Sequence, residues 1–502
     1  MKSLTVKQFL PLFLSGVFAA LVISNAVFLL SWISYVPIFL LLRDKTSKQY
    51  LASGLIFGLG TAVVCFFWML GAAKEFSGNH FLYGFLVTAF SIILFCIYWS
   101  GLFFCFGFFI QGKPNAVLRN AFLVASCFAL SESLLSFLFG QMPYYLFNSG
   151  YGLLNNVYTI QWASFFGLPV LNFLAVLVNY LAASAIATEH WKKLAMPIGI
   201  SLFATGAGFL VKKNAERSIV TLKPVKIAIA AENTPPLLRW DEKGGNILAQ
   251  RLLTLNKSAV AVKPDIVLWS ESTIPWAYQE NDELLKEILK EPHAPDAIHI
   301  IGFMSSYSRE KVYNSIYGIN ADGRVVGRYD KSLLLSFVES PILGLNMPFQ
   351  DLNGFLVEKG RSVMPITTPH GKVGIAICNE IVKSEAALGM VENGAEFLLN
   401  SSNDGWFRNS YIVDLHFLYA RLSAVITRKD IVLNSNNGIS GHIKSSGEVV
   451  LKRKSSNFFT EMAVISPNRY DNSRVYVPIL FLFVCFSVVF GCFLFGRTSQ
   501  KL

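Results

Sequence analysis

The chain has 502 residues, of which 53% are hydrophobic, 14% aromatic and only 15% charged; soluble domains run nearer a quarter charged, so a wholly soluble protein is excluded. The formal net charge of +11 does not point to nucleic acid, because much of the Lys and Arg falls in short loops between apolar runs, where membrane topology accounts for it. The seven cysteines show no Cys-x-x-Cys or Cys/His zinc spacing, so no metal, and no other cofactor, is expected.

Crossing a bilayer takes about 20 apolar residues. Seven such runs precede residue 212, at about 9–23, 26–42, 52–73, 83–110, 116–140, 159–187 and 195–211, and an eighth lies at about 475–496. The first run is followed at once by another and lacks a small-residue cleavage site, so it reads as a span rather than a signal peptide. Lys2 and Lys7, then Arg43, Lys45 and Lys48, Lys113 and Arg119, Lys192 and Lys193, and finally Arg497 and Lys501 fall on one side of an eight-span alternation. By the positive-inside rule that side is cytoplasmic, which puts the block of about 212–474 on the outer face. Inside the spans, Glu132 is either a functional carboxylate or a packing hydrogen bonder, whereas Asn172 and Asn179 read as packing residues.

The chain changes character after a linker at 212–222. Apolar runs predict strands at about 225–230, 266–269, 298–303, 313–319, 324–329, 363–367, 373–377, 396–400, 431–435, 440–444, 448–452 and 461–465. Helical patterns fall at 243–259, 280–290, 382–393 and 411–427. This alternation is an α/β domain over about 223–466. The segment 340–362 reads as a loop bearing Leu345, Met347, Phe349, Leu352 and Phe355, either a lid or an ordinary surface loop.

Three reactive side chains stand at strand ends: Glu271, Lys331 and Cys378, where α/β folds collect ligands and catalytic groups. Each has a plain reading, as an N-cap or surface acid, a solvated lysine and a small buried hydrophobe respectively. Together they carry a specific chemistry. A carboxylate takes a thiol proton, the thiolate attacks a carbonyl, and an ammonium with a backbone N–H stabilises the oxyanion.

Glu271, Lys331 and Cys378, in that order along an α/β block, resemble the nitrilase (carbon–nitrogen hydrolase) superfamily. Further motifs agree: Arg239-Trp240-Asp241, Tyr329-Asp330-Lys331 with Glu339 eight residues on, Ile377-Cys378-Asn379-Glu380, Ser402-Asn403-Asp404-Gly405-Trp406-Phe407, His416 with Arg421, and Asn436-Asn437-Gly438. With seven spans before the block and one after, the whole chain resembles the superfamily's membrane-bound branch, the apolipoprotein N-acyltransferases.

The resemblance implies a polytopic α-helical membrane protein of about eight spans carrying an αββα sandwich. It implies acyl transfer from a membrane phospholipid, through a thioester on Cys378, to the N-terminal amine of a diacylglyceryl-cysteine lipoprotein. Glu271, Lys331 and Cys378 would be catalytic and Glu339, Asn379 and Glu380 supporting. Trp240, Trp406, Asn403 and Phe349 would line the substrate pocket. The implied setting is the bacterial cytoplasmic membrane, with phospholipid and lipoprotein as partners, no nucleic acid, and a monomer compatible with the spans. Asn379 stands where an aromatic residue usually follows the cysteine, and Ser270, Ser336 and Val338 replace a Pro, a Pro and a Gly. Two rivals stay open: a membrane-anchored amidase using the same three groups, and a non-catalytic lipid-binding scaffold.

Overall fold

A computed structural model describes residues 6–43, 45–76, 80–111, 115–140, 147–235, 242–291, 294–308, 310–336, 339–340, 356–405, 407 and 410–498. The chain forms two compact units, one of residues 1–213 and 475–502 and the other of residues 214–474.

Among the described residues of the first unit, six helices are long and apolar enough to cross a membrane: Lys7–Ser24, Ser47–Phe66, Phe81–Ile110, Val117–Leu138, Leu168–Ala187 and Trp191–Ser218. Two shorter apolar helical segments, Phe28–Leu41 and Pro478–Leu494, occupy the second and eighth expected positions. The expected run at 159–187 is not one helix: its long helix starts at Leu168, after a left-handed Gly167. The second run is also broken, into Phe28–Ser31 and Val36–Leu41. Hydropathy does not register this break, because the four interrupting residues, Trp32, Ile33, Ser34 and Tyr35, carry no charge.

Backbone groups freed inside an apolar environment must find partners, and Asn179 supplies them. Its amide oxygen accepts from Tyr35 N at 2.7 Å and its amide nitrogen donates to Ser31 O at 2.8 Å. Asn172 serves the segment after residue 147 in the same way, accepting from Gly150 N at 2.9 Å and donating to Asn148 Oδ1 at 2.8 Å. Glu132 is fully enclosed. It accepts from Ser149 Oγ at 2.5 Å and Ser149 N at 3.2 Å, and Ser149 Oγ is in turn 2.8 Å from Tyr35 Oη. All three intramembrane polar residues thus make buried hydrogen bonds to other segments of the unit.

Among its described residues the second unit holds thirteen strands: β1 (Val225–Ala231), β2 (Ile266–Leu268), β3 (Ile298–Ser306), β4 (Lys311–Ile319), β5 (Val325–Asp330), β6 (Leu356–Val357), β7 (Ile366–Thr368), β8 (Gly371–Ile377), β9 (Phe397–Asn403), β10 (Ile431–Asn436), β11 (Ile439–Ile443), β12 (Val449–Lys454) and β13 (Phe459–Ile465). One sheet has the order β13-β1-β2-β3-β4-β5 with β6 beside β4, and the other β12-β11-β10-β9-β8-β7. Each has a parallel centre, β1/β2/β3 and β8/β9/β10, flanked by antiparallel strands. The central strands are buried along nearly their whole length, which is why they read as continuous apolar runs.

Helix Glu242–Ala261 packs on the first sheet through Leu248, Leu252, Leu255 and Ala259, joined by Leu285 and Ile288 of helix Glu283–Leu289. Helices Ser384–Glu392 and Ile412–Thr427 belong with the second sheet. Between the sheets, Asn434 Nδ2 donates to Ala230 O at 2.7 Å and to Leu268 O at 2.9 Å, and Ser401 Oγ donates to Trp269 O at 2.9 Å. These bonds fix the register of β9 and β10 against β1 and β2. The result is an αββα sandwich with the ends of the parallel strands gathered on one side.

Candidate active site

β2 ends at Leu268, and the chain turns through Ser270 to Glu271, followed by Ser272 in the left-handed region at φ +53°. The turn lies against β3. A Cβ on Gly302 would sit 2.5 Å from Ser272 N and 2.7 Å from Ser270 O, so only glycine allows this close approach. β5 ends at Asp330 and delivers Lys331, whose N–H donates to Asn314 O at 2.8 Å. β8 ends at Ile377 and delivers Cys378 at φ +51°. A non-glycine residue in that region is strained, and such strain collects at functional turns.

The three positions converge on a buried cluster. Lys331 Nζ donates to Glu339 Oε1 at 2.8 Å and to Glu271 Oε1 at 3.3 Å. Asn314 Nδ2 bridges the same two oxygens, at 2.7 Å to Glu271 and 3.3 Å to Glu339. Glu271 Oε2 accepts from Asn403 N at 3.0 Å, and Glu339 Oε2 from Leu335 N at 2.8 Å. Each carboxylate is therefore aimed by a backbone N–H as well as by the shared lysine.

Burial pushes the Glu271 carboxyl above the usual carboxylate range; Lys331 opposes the shift and Glu339 adds to it. Burial works against the Lys331 ammonium, but the Glu271 and Glu339 charges outweigh it and hold the lysine protonated. Burial raises the Cys378 thiol well above its ordinary value; the Glu271 charge adds to this and Lys331 pulls the other way. Cys378 thus lies within electrostatic reach of both Glu271 and Lys331.

Glu380 is fully buried and clasps two of the strand ends together. Its Oε1 accepts from Ser332 N (2.7 Å), Ser332 Oγ (2.8 Å), Leu333 N (3.0 Å) and Tyr329 Oη (2.8 Å), and its Oε2 from Ile377 N (2.8 Å). The lysine loop is thereby bonded to the cysteine turn. Asn379 also reaches that loop, through Nδ2 to Leu333 O at 3.3 Å. Asn403 carries the N–H that meets Glu271, and its side-chain oxygen accepts from Gly405 N and Asn436 Nδ2.

Trp240, Trp406, Phe349 and Val338 lie outside the described residues, as does most of the expected lid. Sequence reasoning missed Asn314. Its signal was the pair Asn314-Ser315 interrupting an otherwise apolar and aromatic β4. It also gave no part to Asp404, which is buried, pairs with His416 Nδ1 at 2.8 Å and accepts from Ser435 Oγ at 2.8 Å, holding together the loops that carry Asn403 and Asn436.

Comparison with known families follows the division of the fold. Residues 228–450 match the carbon–nitrogen hydrolase family, so the second unit is a domain of that class. Residues 15–181 match the apolipoprotein N-acyltransferase N-terminal domain. The chain belongs to the apolipoprotein N-acyltransferase family. Among curated relatives, the apolipoprotein N-acyltransferase of Agrobacterium fabrum is 28% identical over 404 residues, covering 75% of this chain and 74% of the relative. That of Allorhizobium ampelinum is 27% identical over 463 residues, covering 86% and 83%. That of Brucella suis is 25% identical over 491 residues, covering 88% and 87%.

Proposed function

We propose that the chain takes an acyl group from a membrane phospholipid onto Cys378 and passes it to the α-amine of a diacylglyceryl-cysteine at a lipoprotein N-terminus. The observation that carries this reading is the buried Glu271–Lys331–Glu339 cluster, electrostatically coupled to a cysteine held in a strained turn. Membership of the family supplies the substrate class.

In the first half-reaction Glu271 takes the Cys378 proton and the sulfur attacks the ester carbonyl of the phospholipid. Lys331 Nζ and the Asn379 N–H stabilise the oxyanion. The C–O bond breaks, Glu271 returns the proton to the leaving oxygen, and lysophospholipid departs. In the second half the amine nitrogen attacks the thioester carbonyl and Glu271 takes an amine proton. The C–S bond then breaks and the proton passes to the Cys378 sulfur. Glu339 holds Lys331 charged throughout, and Glu380 keeps the lysine loop against the cysteine turn. Trp240, Trp406 and Phe349 would contact the lipid and peptide. The distribution of Lys and Arg between spans supports a catalytic unit on the outer face of a bacterial cytoplasmic membrane.

The test is intact-protein mass spectrometry of the full chain in detergent after incubation with a defined phospholipid. One acyl mass on Cys378, discharged by a diacylated lipopeptide with N-acylation, is the expected result, and Cys378→Ser should form no thioester and transfer nothing. N-acylation that survives in Cys378→Ser, or discharge only to water, would overturn the reading.

A further inference from the structure

The carbonyl of Cys378 and the N–H of Asn379 are two ends of one rigid group. They belong to the same planar peptide and, in its trans form, point in opposite directions. Whatever holds the carbonyl therefore aims the N–H. Asn400 holds it from β9. Its Nδ2 donates to Cys378 O at 3.4 Å and to Ala376 O at 3.0 Å, and Ala376 is its register partner on β8. An amide nitrogen carries two N–H groups, one for each carbonyl. Both carbonyls can only accept, so the nitrogen must face them. Ser402 Oγ secures the other end of the amide, donating to Asn400 Oδ1 at 2.8 Å.

The backbone here needs holding. Cys378 sits at φ +51°, a strain that persists only where the surroundings over-determine it. Side chains secure the groups on either side: Glu380 Oε2 accepts from Ile377 N at 2.8 Å, and Ser423 Oγ donates to Ile381 O at 3.0 Å. The peptide between residues 378 and 379 can still rock about the single bonds that flank it. Such a rotation swings the N–H while leaving both Cα atoms, and with them the sulfur, nearly in place. Asn400 opposes that rotation. Its donation to the carbonyl also polarises the amide and strengthens the N–H as a donor at the far end.

We infer that Asn400 is a positioning residue for acyl transfer, acting through the Cys378–Asn379 peptide to aim and polarise the N–H that meets the oxyanion. The inference rests on the acyl-transfer reading above, in which that N–H and Lys331 Nζ share the developing charge. Asn400 exchanges no proton and adds no step to the reaction.

The experiment compares two reactions of one sulfur. Acylation by a defined phospholipid passes through an oxyanion. Alkylation by iodoacetamide does not: the S–C bond forms, the C–I bond breaks, iodide leaves with the electron pair, and the thiol proton is lost. Both rates are read at Cys378 by mass spectrometry of the full chain in detergent. In Asn400→Leu, which keeps the size and removes both donors, acylation should fall about tenfold or more, part of the roughly hundred- to thousandfold that follows complete loss of an oxyanion donor, while alkylation changes less than about twofold. Ser402→Ala, which frees the other end of the amide, should give the same split at about threefold, the low end of one hydrogen bond's net worth. A general loosening of the turn would move both rates and produce no split.

Acylation and alkylation slowed by the same factor would assign Asn400 to holding the sulfur and overturn the inference. So would unchanged acylation in Asn400→Leu. If thermal unfolding shows that Asn400→Leu does not fold, Ser402→Ala decides: its split supports the inference and equal rates overturn it. If wild type is alkylated at Cys378 but never acylated, the acyl-transfer reading fails, and the inference with it; that outcome is distinct from all the others.

Discussion

The carboxylate of Glu380 receives the backbone N–H of Ser332 at 2.7 Å, across 48 residues of chain. Through this contact the position of Lys331 relative to Cys378 is set by a third residue that belongs to neither strand end's chemistry. Glu380→Ala would leave the N–H groups of Ser332, Leu333 and Ile377 without their acceptor, each worth roughly 1–3 kcal/mol when buried and unsatisfied. The expected result is a lowered thermal midpoint together with loss of acyl-enzyme formation. A variant that keeps wild-type acylation would show that the clasp does not position the lysine.

In the proposed mechanism Glu339 sets the pH at which acid stops acylation, because Glu271 would act as a base only when ionised. Its folded-state pKa is raised by burial, lowered by Lys331 and raised by Glu339, so acylation fails as pH falls through a value above the ordinary carboxylate range. Glu339→Gln removes the like charge, and the acid limb of the acylation rate should move to lower pH. A pH–rate profile of acyl-enzyme formation measures it. An unmoved limb would mean that Glu339 acts by holding Lys331 in place rather than by its charge.

Gly302 tests how tightly the Glu271 turn must pack on β3. Alanine there would place its Cβ 2.5 Å from Ser272 N, 2.7 Å from Ser270 O and 3.1 Å from Glu271 C, all backbone atoms that cannot swing aside. Overpacking of this kind typically costs about 1–3 kcal/mol. Gly302→Ala should therefore lower stability and slow acylation together, measured by thermal unfolding and by the rate of Cys378 acylation.

Glu132 separates packing from chemistry in the membrane unit. Glu132→Leu leaves Ser149 N and its hydroxyl without their carboxylate partner, an expected loss of about 1–3 kcal/mol, while Glu132→Gln keeps an acceptor and should restore most of it. Thermal unfolding in detergent reads both. Lost acyl transfer at unchanged stability would assign Glu132 a functional part instead.

Much of the catalytic unit was legible because its central strands are buried on both sides and spell themselves as apolar runs; Ile266–Leu268 and Gly371–Ile377 lead directly to Glu271 and Cys378. What stayed hidden depends on contacts between distant segments. Asn314 looks like a surface residue of an edge-like strand until β5 returns Lys331 to its carbonyl. Glu380 gave no sign of its five bonds, because four of them come from the 329–333 loop. In the membrane unit, the break at Trp32–Tyr35 was invisible to hydropathy, and the partner of its freed backbone groups, Asn179, lies 144 residues from Tyr35.

The pairing of β1 with β13 has a consequence in time. Val225 lies opposite Ile465 and Ala231 opposite Phe459, so the first strand of the catalytic unit cannot gain its outer neighbour until nearly the last strand has left the ribosome. At typical synthesis rates of about 5–20 residues per second this interval is roughly 10–50 s. Cys378 is made within that interval, before the sheet is closed. A nascent chain therefore carries Cys378 for some seconds without a finished sandwich around it.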